Sequence, residues 1–166
     1  MGKARKLAQK DIDADWTKKN GERHFGYKDH VKCDADSKLI TNYSVTSASV
    51  HDSQRCLVFI GQEDEVLYAD SAYSGKPIAL ALPENCKNQI CEKGYRNSPL
   101  TSEQKMNNRR KSRIRCRIEQ IFGFMTGAMH GITIRSIGIT RAWMNIGITN
   151  LVYNFCRYSY LKRASA

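Results

Sequence analysis

The stretch HFGYKDHVKCDADSKLITNYSVT, running from His24 to Thr46, decides the architecture. Phe25, Tyr27, Val31 and Cys33 recur at period two, the turn-forming DADS follows, and Leu39, Thr41, Tyr43 and Val45 alternate again. Successive side chains of a strand point to opposite faces, so both halves read as strands. Joined by the turn over 34–37, they predict a β-hairpin with a four-residue loop.

Outward from the hairpin, residues 1–23 are polar and contain no apolar run able to fill a buried strand. Downstream, HDSQRCLVFIG (51–61) reads as a helix with Asp52 as its cap and Gly61 as its stop. EVLYAD (65–70) is a nearly continuous apolar strand ending in Asp70, the segment from Tyr73 to Leu82 is helical, and NQIC (88–91) is a further strand. Beyond Pro99, Thr101 and Gln104 form a T-x-x-Q capping box. Ile114, Ile118, Ile121, Phe122 and Met125 then recur at helical spacing as one buried stripe. After a glycine-containing break, Arg141 to Tyr160 reads as a C-terminal helix rich in apolar and aromatic residues. The order β-β-α-β-α-β-α-α is that of an α/β protein. The domain reading is a polar lead-in over 1–23 followed by one domain over 24–166.

At 166 residues the chain is long enough to bury a core, and its 41% hydrophobic and 26% charged residues argue against disorder. No apolar run reaches membrane-spanning length and the N-terminus lacks the apolar segment of a signal peptide, so no membrane partner and a cytoplasmic location are expected. The six cysteines are scattered without the paired spacing of a zinc site, which suits reduced thiols. Charge is more informative. Residues 101–166 hold 12 Lys and Arg against two acids, Glu103 and Glu119, and so carry +10 of the net +11. A field this lopsided suits a polyanion, with nucleic acid the first candidate, although a solvated basic helix face has the same composition.

Three groups of acids invite a chemical reading. In DIDADWTKKNGE (11–22), Asp11, Asp13, Asp15 and Glu22 match the acid spacing of a calcium-binding EF-hand loop. Position six of that loop needs Gly for its sharp turn and holds Trp16, and no amphipathic helices flank it, so the calcium reading fails. These acids are then expected to be solvated or paired with Lys18, Lys19 or Arg23, with Trp16 packing. Asp70, at the carboxyl end of an apolar strand, stands where α/β folds place functional groups, although a turn or cap acid fits too. Glu119 is the one acid among Arg109, Arg110, Lys111, Arg113, Arg115 and Arg117. Ser112, Arg115 and Glu119 share a helix face, and Arg115 and Glu119 also fit an i,i+4 ion pair worth only about 0.2–0.5 kcal/mol. Taken together, two carboxylates and a basic helix meet part of what metal-assisted phosphoryl transfer needs, the third carboxylate being unassigned.

The ordered segments HFGYKDHVKCDADSKLI, VTSASVHDSQ, LYADSAYSG and PLTSEQKMNNRRKSRIRCRIEQIFG resemble the catalytic domain of DDE-type bacterial insertion-sequence transposases, over roughly 10–160. The resemblance implies a ribonuclease H-like mixed sheet with flanking helices. It also implies an Asp-Asp-Glu triad holding two Mg²⁺ or Mn²⁺ ions for DNA cleavage and strand transfer during transposition. By motif, Asp70 matches the second acid, Glu119 the third, and Arg115 the arginine of the Tyr-Arg-Glu-Lys signature; Ser112 and Thr126 stand where Tyr and Lys are usual. Arg115, Arg109, Arg110, Lys111, Arg113 and Arg117 become DNA contacts. The implied partners are double-stranded DNA at the element's ends and target, and a second copy or a full-length transposase. The family's first acid lies on a central strand ahead of the hairpin, which residues 1–23 do not offer, so the chain reads as N-terminally truncated. Asp34, Asp36 and Asp52 read as turn and cap acids and do not replace it. The competing reading is a catalytically inactive remnant that binds DNA or the full-length enzyme. A helix-turn-helix repressor would need a recognition helix preceded by a short turn, which the sequence lacks.

Overall fold

The computed structural model describes residues 10–19, 21–131 and 133–165, with the backbone alone at Ser53 and Lys76. The first nine residues of the polar lead-in lie outside the described residues. The architecture is mixed α/β, with one antiparallel and one parallel sheet, both small. No described helix is long and apolar enough to cross a membrane. The chain divides into two compact units, one formed by residues up to His51 together with those from Ile121 onward, the other by Asp52–Gln120.

In the first unit, β1 (Asp15–Lys19), β2 (Glu22–Cys33) and β3 (Ile40–Ser47) form an antiparallel sheet in that order. The hairpin expectation holds: Tyr27 pairs Ser47 and Val31 pairs Tyr43, with a bulge between Lys32 and Cys33. The loop is longer than its four turn residues, because Lys38 takes φ 61° and Leu39 receives the Asp34 N–H at 2.9 Å before the strand resumes at Ile40. Asp34 accepts from both the N–H and the hydroxyl of Ser37, which holds its carboxyl below the usual range. The lead-in contains a strand after all, β1, whose exposed polar residues pair only with the first half of β2. β2 changes partner at Gly26, where φ is 148°, a conformation that L side chains rarely adopt.

Of the acids before β1, Asp11 is half-buried and Asp13 exposed, and both bond the start of the C-terminal helix. Asp11 accepts from the Tyr27 hydroxyl at 2.7 Å and from the Gly138 N–H at 3.2 Å, while Asp13 accepts from the Ile139 N–H at 3.0 Å. Gly138 and Ile139 open the C-terminal helix, so two carboxylates satisfy donors that the helix itself cannot, at its positive end. Burial alone would raise the Asp11 carboxyl, but these hydrogen bonds hold it below its usual value. Trp16 does pack, with its ring 5.2 Å from that of Phe25.

Helices α4 (Arg117–Gly127) and α5 (Ile139–Ala164) complete this unit from Ile121 onward. Ile121, Met125, Ile40 and Tyr153 form its core. Along α5, Ala142, Ile146, Asn150 and Tyr153 are buried at spacings of three and four, the period of one helix face. Polar side chains on that face grip the hairpin: Asn154 bonds both backbone groups of Ile40 at 2.8 Å, Tyr153 donates to Lys38 O, and Arg157 donates to Ser37 O. A side chain at Gly147 would strike the Tyr43 ring, which lies 4.8 Å from the Trp143 ring. Overpacking there costs about 1–3 kcal/mol, which outweighs the roughly 1 kcal/mol helix-propensity gain over Gly. Gly147→Ala is therefore expected to lower the melting temperature. Tyr43→Phe, which removes the nearest atom, should recover part of the loss, as a double-mutant thermal series would show.

The second unit contains α1 (Ser53–Phe59), β4 (Val66–Leu67), α2 (Lys76–Ala81), β5 (Lys87–Asn88) and α3 (Ser102–Arg115). β4 and β5 are parallel, and the ladder runs on through Gln89 N–H to Leu67 O and Cys91 N–H to Ala69 O. Cys56, Ile78 and Ile90 are the buried centre, with Leu67, Ala69 and Tyr73 against it. Asp52 does not cap α1 with its side chain, since it already has helical dihedrals, and the helix ends at Ile60 one residue before Gly61. The capping box at Thr101 and Gln104 is formed in both directions. The expected single long helix is broken at Cys116, whose N–H is shared between Ser112 O and Ile114 O and whose thiol turns back to Arg113 O. The isoleucine stripe divides accordingly: Ile121 and Met125 are buried in the first unit, while Ile114 and Ile118 are only half-buried.

Candidate metal and nucleic-acid site

The second unit gathers the chemistry-bearing residues around the end of the β4 ladder. Asp70 follows Ala69, the last residue of that ladder, and enters a 3₁₀ turn over Ser71–Tyr73. Its Oδ1 accepts from the Ser71 N–H at 2.5 Å and its backbone O from the Tyr73 N–H at 2.9 Å, so it also acts as a cap. Glu119 sits in the first turn of α4, where a carboxylate complements the helix dipole.

Between them stands Arg115, the last residue of α3. Its guanidinium lies 3.0 Å from Glu119 Oε1 and 3.9 Å from Asp70 Oδ2. Both carboxylate side chains are more than half exposed, at 63% and 53%, so these ion pairs stabilise by only about 0–1 kcal/mol and open readily. The i,i+4 salt bridge that the spacing allowed is therefore present, and the same arginine draws the second acid to the same point.

The basic residues of α3 divide by role. Arg109, Arg110 and Arg113 are exposed, whereas Lys111 donates to Ile90 O at 3.0 Å and fastens α3 to the ladder. Asn108 reinforces this by bonding both backbone groups of Glu92 at 2.9 Å. Arg117 opens α4, half-buried. Ser112 reaches Cys91, at 3.8 Å between oxygen and sulfur, and Thr126 donates to Phe122 O within its own helix.

Three residues near the site escaped the sequence reading. Tyr73 is half-buried against the core, and that burial, with the charges of Asp52, Cys56 and Asp70 behind it, pushes its hydroxyl up to about 12. Gln89 and Asn107 line an open cleft with Tyr68, Arg110 and Lys111. The signal was the i,i+3 spacing of Asn107 and Arg110 on the basic helix, which places an amide beside a guanidinium. Among the described residues, no three of His, Cys, Asp or Glu gather as a metal site.

The family model for the transposase DDE domain matches residues 3–155. A transposase for insertion sequence element IS1106 from Neisseria meningitidis serogroup B is 34% identical over 117 residues, covering 69% of this chain and 40% of that protein. The chain thus spans about 40% of the length of this curated relative. No solved structure matches significantly. With nearly its whole length matched, the chain belongs to the DDE transposase domain family.

Proposed function

We propose that this chain forms part of a ribonuclease H-like transposase catalytic domain in which Asp70 and Glu119 are metal-binding carboxylates for DNA cleavage and strand transfer. The observation that carries the reading is the convergence of both acids on the Arg115 guanidinium, where two negative charges share one cation. Exposed carboxylate oxygens suit Mg²⁺, which is commonly held by one or two carboxylates completed by waters and substrate phosphates. Two ions would require more oxygen donors than these two side chains supply. When bound, the metal supplies Lewis-acid polarisation of the scissile phosphate. The chain's own contribution is positional: Arg115 holds the two acids together, and Arg109, Arg110 and Arg113 present charge to the DNA backbone.

The test is nicking of supercoiled plasmid in Mg²⁺ or Mn²⁺. Cleavage that Glu119→Gln abolishes is the expected result. The absence of a third gathered ligand among the described residues favours a second reading, a DNA-binding remnant without chemistry. It predicts DNA binding with no cleavage in either metal. Under both readings, the combined Arg109→Ala, Arg110→Ala and Arg113→Ala variant should lower the slope of log affinity against log salt by roughly three, about one per lost phosphate contact. A gel-shift salt series measures this.

A further inference from the structure

The face of the β4–β5 ladder that turns away from the core meets one face of α3. Leu67 pairs Asn88 and the ladder runs on to Ala69, with Leu67, Ala69 and Ile90 packed in the core. Successive side chains alternate, so Tyr68 and Gln89 stand side by side on the opposite face, and Asp70 follows on that face two residues later. Asn107, Arg110, Lys111 and Ile114, at the spacing of one helix face, complete a cleft of about 370 Å³ with that pair. This lies within the ~300–1,000 Å³ usual for small-molecule sites. Lys111 is committed to Ile90 O. The side chains of Tyr68, Gln89, Asn107 and Arg110 make no hydrogen bond or ion pair with other described residues.

We propose that this cleft is a nucleotide subsite that selects adenine, with Gln89 and Asn107 as the residues that set the preference. The arginines of α3 attract a polyanion whatever its sequence, whereas neutral donors and acceptors tell one base from another. Each amide carries an acceptor beside its donors, the complement of adenine's N6 amino group and N7. Tyr68 and Ile114 give the base ring apolar surface to lie against, and Arg110, exposed where Gln89 and Asn107 are half-buried, takes the phosphate. A paired base shows only its edge at the floor of a groove, out of reach of half-buried amides, so the nucleotide is an unpaired one. The inference rests on the DNA-facing role given to α3 above, and it needs no metal.

Fluorescence anisotropy of the full chain in EDTA tests this, with one labelled hairpin duplex carrying a single unpaired dA, dG, dC or dT or an abasic residue. The unpaired dA is expected to bind roughly tenfold more tightly than the abasic residue, dC or dT. Gln89→Ala and Asn107→Ala should each flatten that preference while leaving affinity for the abasic duplex unchanged, which also shows that both variants are folded. Arg110→Ala should weaken all five duplexes and lower the salt slope by about one. Millimolar dAMP distinguishes the sources of the nucleotide: loss of the dA preference assigns the subsite to free nucleotides as well, and an unmoved preference assigns it to DNA alone. Equal binding of the five duplexes would overturn this inference and leave the metal-site reading standing, as would a preference that survives both amide variants. A preference for another base would overturn the assignment to adenine. A dA preference in a chain that never cleaves would overturn the catalytic reading alone, and binding to none of the duplexes would overturn both.

Discussion

Ile121→Ala is expected to lower the stability of the first unit by about 2–5 kcal/mol, the range for truncating a fully buried isoleucine. Ile121 is 0% exposed and packs with Met125, Ile40 and Tyr153, so truncation leaves a void bounded by two helices and the hairpin. The surroundings cannot close it easily. Tyr153 is tied through its hydroxyl to Lys38 O, and the Ile40 backbone is held twice by Asn154. Denaturant unfolding followed by tryptophan fluorescence measures the loss directly, because Trp16 and Trp143 both belong to this unit. Phe124→Ala serves as the contrast. Phe124 is 40% exposed and meets the Tyr153 ring edge-on, so its loss should be clearly smaller. Equal effects would mean that the packing around Ile121 has been misassigned.

Asp29→Asn should stabilise the protein at pH 8, by about 1–3 kcal/mol, a direction opposite to that of most substitutions. Asp29 lies on the sheet face covered by α5, where its Oδ1 accepts from Asn150 Nδ2 at 3.3 Å. Its Oδ2 and the Oδ1 of Asn150 are both buried and both without a hydrogen-bond partner. Two orphaned acceptors in one pair call for a donor, which a protonated carboxyl or an amide provides. Burial raises the Asp29 pKa to about 6, against the opposing effect of the Asn150 hydrogen bond. Tyr43, the nearest titratable group on β3, is itself raised, by burial and then by the Asp29 charge. Because the folded pKa exceeds the model-peptide value, the native state keeps a proton that the unfolded chain releases. This contribution is complete below pH 4 and is lost as pH rises through about 6, roughly 3 kcal/mol in all. Asp11 and Asp34, whose pKa values are lowered, act in the opposite sense and lose their contribution in acid. Chemical denaturation from pH 4 to 8 should show the decline in the wild type and a flat profile in Asp29→Asn. A decline that persists in the variant would remove Asp29 as its source.

The hairpin, the capping box and the basic helix were legible because each depends on local chemistry: period-two alternation, a Thr and a Gln three apart, and charge density. Position 29 was overlooked although it lies on the same period-two face as Tyr27 and Val31, because an aspartate there interrupts the apolar pattern without breaking it. The fates of Asp11 and Asp13 could not be read locally, since their partners lie more than a hundred residues away. The break at Cys116 also escaped, because nothing in the residue type forbids a helix there and the departure rests on bifurcated hydrogen bonding. At the candidate site, the Arg115 and Glu119 spacing fixed one ion pair in advance. The approach of Asp70 to the same guanidinium depends on how the β4 ladder meets α3, which is tertiary information.

Asp11 holds the start of α5 across 127 residues of chain, and Ile40 meets Asn154 across 114. The unit they close is made of two separated segments, with Asp52–Gln120 inserted between them. On the ribosome, the inserted unit therefore emerges whole and free to fold, while the hairpin waits for α5. The sheet is synthesised before the inserted unit and completed after it, so in the interval its apolar face is open to chaperones and to the same sheet on neighbouring nascent chains.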